Sequence, residues 1–136
     1  MAERAWTLTL TLLSGLYTVC RLAPDAQIPA WVRTDTPAVG ILSFTRTANE
    51  LSIVCPQATV PADAPADRDW RCLRVEGPFD LTTDTGVLAA LATPLAAAGI
   101  GIFAVSTYDT DHLLIHAVDL DRATAALTAA GHTIRH

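Results

Sequence analysis

The chain has 136 residues and a mass of 14.4 kDa, enough for one compact domain or two very small modules that share a core. Hydrophobic residues make up 51% of the chain and charged residues only 17%, which argues against an intrinsically disordered protein. The net charge is −5 and the nine basic residues are all scattered arginines, which argues against nucleic acid or an anionic membrane surface as the main partner.

Two sequence patterns predict strands in the first half, namely alternation of apolar with polar residues and short apolar runs between turn signals. At residues 6–12 the leucines fall on one face and the threonines on the other. Two proline-containing stretches read as irregular chain, the first with one helical turn at residues 28–32 and the second as a connector. The predicted elements are strands at 6–12, 17–22, 39–45 and 51–55, with irregular chain at 23–37 and 56–70.

The second half alternates strand and helix patterns. The first helix follows Asp84 and Thr85, either of which can cap it, and Pro94 should kink it before Gly99 ends it. Its predicted buried face comprises Val87, Leu88, Leu91 and Leu95. The other predicted elements are strands at 71–76 and 133–135, a hairpin at 102–116 and a second helix. Asp119 is expected to cap the second helix, Leu120, Ala123 and Leu127 to be buried, and Gly131 to end it.

This order predicts a ferredoxin-like (βαββαβ) α+β module with an antiparallel sheet and both helices on one face. The first half resembles it without convincing helices, so we expect a degenerate copy. The hairpins align at a 61-residue offset, which pairs Thr45 with Ser106 and Glu50 with Asp111. The expected organisation is an N-terminal module at 1–60, a linker at 61–70 and a C-terminal module at 71–136.

Two segments of the second half resemble the ACT-domain family. Residues 84–102 resemble its signature of an acidic residue, a glycine and an amphipathic helix ending in Gly-Ile-x-Ile, with Thr85 where proline is usual. Residues 104–115, which include Ser-Thr-Tyr-Asp-Thr-Asp, resemble a narrower branch of small bacterial tandem-ACT proteins related to the ACT modules of eukaryotic cytosolic arginine sensors. The resemblance implies a non-catalytic regulatory module that binds an amino acid, usually at an interface between paired ACT domains.

The candidate ligand site combines a helix start with the polar hairpin turn. Unpaired amides at a helix N-terminus favour a carboxylate, and the carboxylates of the turn suit an ammonium group, with Asp111 as the first candidate. The alternatives are an ordinary capped helix and a solvated turn whose side chains bond locally. The predicted ligand-binding residues are Gly77, Thr85, Gly86, Val87, Ser106, Thr107, Tyr108, Asp109 and Asp111.

Other chemistries fit the sequence less well. His112 and His116 would lie roughly 13 Å apart on a strand, too far to share a metal ion, and we expect no metal or cofactor. A hydrolase that uses Ser106 or Cys72 is a weak alternative because the chain has no G-x-S-x-G motif. Arg46, in the first hairpin, could face the site from a module interface or could be a surface residue.

Cysteine usage and the N-terminus bear on the compartment. Cys20, Cys55 and Cys72 lie in or beside strand-like runs without a C-x-x-C pair, which predicts buried thiols in a reducing compartment. The N-terminus lacks a signal-peptide core, and no apolar run reaches the roughly 18 residues that span a bilayer. A cytoplasmic protein is expected.

The sequence therefore supports two hypotheses. The leading one is a regulatory module, a homodimer of paired ACT-like halves, that binds an amino acid. The competing one is a protein-interaction module that assembles through its sheet edges and binds no metabolite.

Overall fold

A computed structural model describes residues 5–35, 40–80 and 82–136. These residues contain eight strands, two α-helices and two short 3-10 turns, a mixed α+β arrangement that confirms the predicted fold class. No helix in the described ranges is long and apolar enough to cross a membrane. The elements are β1 (Thr9–Leu12), β2 (Tyr17–Leu22), β3 (Ser43–Arg46), β4 (Leu51–Pro56), a 3-10 turn (Gln57–Thr59), β5 (Asp67–Val75), α1 (Val87–Ala97), β6 (Phe103–Ser106), β7 (Asp111–His116), a 3-10 turn (Ala117–Asp119), α2 (Leu120–Ala129) and β8 (Thr133–Arg135).

The chain forms two compact units, and the boundaries between them differ from those expected. The helical unit comprises the residues up to Leu13 together with Arg71–His136, and the central unit comprises Ser14–Trp70. Strand β1, expected in the N-terminal module, belongs to the helical unit because Leu10 pairs with Val75 of β5. The last four residues of the linker expected at 61–70 belong to a strand, because β5 begins at Asp67.

The sheet of the helical unit has the strand order β6-β7-β5-β1-β8. Strand β1 is antiparallel to β5 and parallel to β8, so it lies between two strands of the βαββαβ series. Both helices contribute to a single core with the sheet, which explains why Leu8 and Leu10 are buried and why Leu12 packs against the same core. The buried residues of this core are Leu8, Leu10, Leu73, Val75, Val87, Leu91, Leu95, Ile100, Leu113, Ile115, Ala123 and Leu127.

Helix α1 departs from the prediction in two details. Val87, Leu91 and Leu95 are buried at helical spacing, but Leu88 is 36% exposed, so its placement on the buried face was wrong. Gly86 is the N-cap residue with a φ of 84°, and no side chain caps the helix among the described residues. The predicted cap at Asp84 or Thr85 was therefore wrong. Asp119 is the N-cap residue of α2, as predicted, but its side chain makes no capping hydrogen bond.

Pro94 lies within α1, where it cannot donate a backbone hydrogen bond to Ala90. The Ala90 carbonyl instead lies 3.0 Å from Nε2 of buried His132. The Leu8 N–H donates to Nδ1 of the same ring over 3.1 Å, which assigns the proton to Nε2. One histidine thus satisfies the carbonyl that proline leaves unpaired and ties α1 to the start of β1.

The central unit has its own hydrophobic core. Strand β4 lies between β3 and β2, and Tyr17 of β2 pairs with Trp70 of β5. The helical turn predicted at residues 28–32 is a β-turn instead, closed by the Val32 N–H donating to the Pro29 carbonyl over 3.0 Å. The predicted start of β3 at Val39 lies outside the described residues. The buried core residues of this unit are Cys20, Val32, Leu51, Ile53, Cys55 and Val60.

The two hairpins repeat at an offset of 60 residues. The first hairpin consists of β3, a turn and β4, and the second consists of β6, a turn and β7. Each part has the same length in both hairpins, and so does the 3-10 turn that follows. Arg46 therefore corresponds to Ser106, because each pairs with the first residue of the next strand. The predicted 61-residue offset, which paired Thr45 with Ser106 and Glu50 with Asp111, was wrong by one position, since sequence pattern alone does not mark the turn register.

Candidate functional site

The candidate site lies in the helical unit, where the turn between β6 and β7 meets the loop before α1. A small cavity of about 90 Å³ opens between these two pieces of chain. It holds four carboxylates, and its described lining has no basic side chain. The lining residues are Phe79, Asp80, Asp84, Val87, Thr107, Asp109, Thr110 and Asp111.

Local hydrogen bonds order the turn. The Thr107 N–H donates to the Thr110 carbonyl over 2.8 Å, and the Thr107 hydroxyl donates to the same carbonyl over 3.0 Å. Ser106 Oγ donates to Asp111 Oδ1 over 2.6 Å, across a cross-strand pair. The Thr110 hydroxyl donates to the Val75 carbonyl over 2.6 Å, which fixes the turn to the end of β5. The turn thus forms the local bonds of a solvated hairpin and is also anchored to the sheet.

Gly77 and Phe79 bring the loop against the turn. The Phe79 N–H donates to the Asp109 carbonyl over 2.8 Å. A Cβ atom at Gly77 would lie 3.1 Å from the same carbonyl, tighter than a side chain normally packs. Glycine at this position is therefore what allows the close approach of the two chain segments.

Asp80 and Asp84 hold the loop in shape. Asp80 Oδ1 accepts the N–H groups of Thr82 and Thr83, and these hydrogen bonds lower the pKa of the Asp80 carboxyl below its usual value. Asp84 Oδ2 accepts the Asp80 N–H over 2.7 Å. Sequence reasoning did not assign Phe79, Asp80 or Asp84 to the site. An aspartate side chain commonly bonds the backbone N–H two residues further on in a turn, and this tendency could have indicated Asp80.

A larger depression adjoins the small cavity and shares Phe79, Asp80, Asp84 and Asp109 with it. Its volume is about 670 Å³, and Pro78, Thr82 and Tyr108 complete its described lining. Tyr108, at the tip of the turn, is 83% exposed. The phenol ring is therefore placed beside the carboxylates with most of its surface in contact with water.

Thr85 and Gly86 lie on the other side of the loop from the carboxylates. They line a groove of about 610 Å³ together with Trp6 and His132. The Thr85 carbonyl accepts the indole N–H of Trp6 over 2.8 Å. Of the three predicted residues at the helix start, the structure brings only Val87 into the same cavity as Thr107, Asp109 and Asp111.

The residues considered for other chemistries have different environments. Burial raises the pKa of the Cys72 thiol to about 12, which disfavours the thiolate that a nucleophile requires. Burial, followed by the nearby Arg74 guanidinium, lowers the pKa of His112. In the part of the chain that the structure describes, no three His, Cys, Asp or Glu side chains are grouped so that they could hold a metal ion.

Arg46 forms hydrogen bonds within the central unit. Its guanidinium donates to the carbonyls of Pro24 and Ala26, at 2.5 and 2.8 Å. These bonds hold the irregular segment after β2 against the first hairpin. Of the two readings of Arg46, they favour a structural role at the surface of the central unit.

Comparisons with known proteins cover nearly the whole chain. A family model described as an ACT domain matches residues 66–129, and another described as an N-terminal domain matches residues 15–63. The crystal structure of protein Atu0741 from Agrobacterium tumefaciens is 40% identical, with a TM-score of 0.85 over 97% of this chain and 98% of that one. A search of curated proteins found no match.

Two more distant structures share the fold. VC0802 from Vibrio cholerae, described as a possible transport protein of unknown function, is 18% identical with a TM-score of 0.71 over 92% of this chain and 91% of that one. The ligand-free regulatory subunit of aspartate kinase from Thermus thermophilus is 14% identical, with a TM-score of 0.58 over 87% of this chain and 93% of that one.

Proposed function

Because this chain belongs to the same family as Atu0741 of Agrobacterium tumefaciens and matches the ACT domain over residues 66–129, we propose that it is a non-catalytic regulatory module that binds an amino acid. The observation that carries this proposal is the cavity between the loop before α1 and the turn of the second hairpin. It combines acceptors for an ammonium group with the start of a helix.

The ammonium group of the ligand is assigned to Asp109 and Asp111. Both carboxylates line the cavity, and charge-assisted hydrogen bonds are about twice as strong as neutral ones. A carboxylate offers about four lone-pair positions, so Asp111 can accept the ligand while it accepts the Ser106 hydroxyl. Asp80 has less free acceptor capacity, because its Oδ1 already accepts two backbone N–H groups whereas Asp111 accepts one hydroxyl.

The carboxylate group of the ligand is assigned to the first turn of α1. This turn has no side-chain cap among the described residues, and a helix N-terminus favours an anion. Val87 is the residue of that turn that lines the cavity. Tyr108 borders the adjoining depression, where its ring can cover the aliphatic part of the ligand.

The proposal includes a tandem arrangement and a homodimer. The 60-residue repeat of hairpin and 3-10 turn supports two related halves, of which the first has no α-helix in its described residues. Pairing of two copies would place a ligand at an ACT-module interface and would let it shift the association equilibrium through differential affinity. A mass of 14.4 kDa by light scattering at working concentration would exclude the homodimer.

Thermal-shift measurements with the twenty amino acids test the ligand. At a hundred times its dissociation constant, a true ligand adds roughly 2.7 kcal/mol to the free energy of unfolding. Asp111→Ala should abolish the shift without loss of the fold, and Asn49→Ala, in the turn of the first hairpin, should leave it intact. The ligand assignment fails if none of the twenty amino acids shifts the melting temperature. The site assignment fails if the ligand still shifts the melting temperature of Asp111→Ala.

One observation favours the interaction module as the alternative. Among the described strands, β6 pairs only with β7, so Phe103–Ser106 presents an open sheet edge that another chain could extend. This alternative predicts association in solution that no amino acid alters. Sedimentation measured with and without each amino acid separates it from the ligand-binding proposal.

A further inference from the structure

Trp6, which precedes β1, contacts the loop before α1 at two places. Its indole Nε1 donates to the Thr85 carbonyl over 2.8 Å, at the end of that loop. Its ring meets Phe79 edge to face, with centroids 5.6 Å apart and an angle of 85° between the planes. A single side chain from the N-terminal segment therefore contacts both the first and the last part of the loop.

Phe79 continues this path to the turn of the second hairpin. Its N–H donates to the Asp109 carbonyl, and its side chain lines the cavity that holds the four carboxylates. The contacts from Trp6 to Phe79 and from Phe79 to Asp109 lie within the helical unit. Phe79 therefore contacts both Trp6 and the turn that lines the opposite side of the cavity.

The segment that carries Trp6 is itself held in place. The Leu8 N–H is bonded to His132, whose other ring nitrogen reaches the Ala90 carbonyl in α1. Leu8 is also buried in the core of the helical unit. Trp6 is thus attached two residues before an anchored position, which makes it a suitable support for the loop.

We propose that Trp6 is a positioning residue for the candidate ligand site. Through its ring it keeps Phe79 bonded to Asp109, and through its indole N–H it holds the end of the loop at Thr85. The inference builds on the proposed function only in calling the cavity a ligand site. Trp6 itself lies outside residues 66–129, which match the ACT domain, so the match alone does not indicate its role.

Amide hydrogen exchange of the full-length chain without ligand tests the positioning role. In Trp6→Ala, Phe79 loses its aromatic partner, and we expect its amide to exchange about three- to tenfold faster. In Trp6→Phe the edge-to-face contact is kept, so the exchange of the Phe79 amide should stay within about twofold. Leu12→Ala is the matched control, because Leu12 packs against the same core without being part of this path.

A purely structural role for Trp6 gives a different result. Trp6→Ala and Leu12→Ala would then accelerate amides throughout the helical unit to a similar extent, with no additional effect at Phe79, and the proposal would be overturned. It would also be overturned if Trp6→Phe matched Trp6→Ala at Phe79. If Trp6→Ala fails to fold, Phe79→Leu removes the same aromatic pair, and faster exchange of the amide at position 79 is again expected.

A second measurement adds the ligand. Each of the twenty amino acids is titrated against the unaltered chain, Trp6→Phe and Trp6→Ala. An amino acid that binds the unaltered chain should bind Trp6→Ala at least about threefold more weakly. Trp6→Phe keeps the ring contact but loses the bond to Thr85, so its affinity should lie between the two; equal affinity for all three overturns the positioning role. If none binds the unaltered chain, the proposed function fails, and the exchange measurement alone decides the role of Trp6.

Discussion

The two hairpins of this protein share a backbone design but differ in what surrounds them. Each has a four-residue strand, a four-residue turn, a six-residue strand and a 3-10 turn, and in each the first turn residue donates its N–H to the carbonyl of the fourth. In the first hairpin Arg46 binds the carbonyls of a loop in its own unit. In the second, the turn is bonded to the end of β5 and to the loop before α1.

This comparison shows that a turn becomes a candidate site through its neighbours. The turn of the first hairpin also carries polar side chains, including Asn49 and Glu50. The turn of the second hairpin forms a cavity because Phe79, in the loop before α1, is bonded to it. Matched substitutions at positions 60 residues apart can therefore separate the contribution of hairpin geometry from that of its surroundings.

The largest expected effect is on core packing at equivalent strand positions. Ile115 and Cys55 are both buried, one in each core. Ile115→Ala removes three carbon atoms from a closed core and should lower the free energy of unfolding by about 2–5 kcal/mol. Cys55→Ala removes one sulfur atom and should cost less. Chemical denaturation measures both, and equal losses would show that the two cores respond alike.

The next effect concerns the anchor of the second turn. Thr110→Val keeps the shape of the side chain but removes its hydrogen bond to the Val75 carbonyl, which should cost about 1–2 kcal/mol. The equivalent change in the first hairpin, Glu50→Gln, should alter stability by less than about 0.5 kcal/mol. Thermal denaturation of both variants tests this difference. A neutral Thr110→Val would mean that the bond to β5 does not hold the turn.

A smaller effect is expected at Arg46 and Ser106, and here the substitution in the first hairpin should cost more stability than the one in the second. Arg46→Ala removes two hydrogen bonds to backbone carbonyls of the central unit and should cost about 1 kcal/mol. Ser106→Ala removes an exposed bond to Asp111 and should cost less than about 0.5 kcal/mol. Denaturation with urea compares them, and a larger loss from Ser106→Ala would reverse this ranking of the two hairpins.

The smallest expected difference is in how the free energy of unfolding depends on pH. Burial and the nearby Arg74 lower the pKa of His112 in the folded state, so the unfolded chain takes up the proton first as pH falls. The associated stability is complete above about pH 6.5, the usual histidine value, and is lost as pH falls towards the folded-state pKa. His112→Gln should flatten this part of the profile, whereas Ser52→Ala, at the equivalent position, should not. Unfolding free energies measured between pH 5 and 8 test this, and an unchanged profile in His112→Gln would contradict it.

Several elements could be predicted because their patterns are local. Strand β2 was predicted at its observed bounds, and the leucines of β1 indicated their buried face. The end of α1 followed from Gly99, whose φ of 73° favours glycine. The turn register was missed because the two hairpins share little sequence. Leu88 was misplaced because it lies three and seven residues before Leu91 and Leu95, a spacing that fits a buried helical face as well as the spacing of Val87 does.

The candidate site was predicted in part. The turn of the second hairpin and the start of α1 were assigned to it from their residue types, and the structure brings Val87 to Thr107, Asp109 and Asp111. Thr85 and Gly86 lie in the groove beside Trp6 instead. The loop and the turn are joined by the bond from the Phe79 N–H to the Asp109 carbonyl, and no sequence spacing encodes a contact between segments 30 residues apart.

The sequence by itself determined the elements, the fold class and the residue types of the second turn, because helix and strand periodicity and turn chemistry act over a few neighbouring residues. The tertiary structure alone decided that β1 lies between β5 and β8 and that Trp6 donates a hydrogen bond to the loop before α1. It also decided that four carboxylates share one cavity. Such contacts join residues far apart in the chain, where burial of the whole core selects the partner.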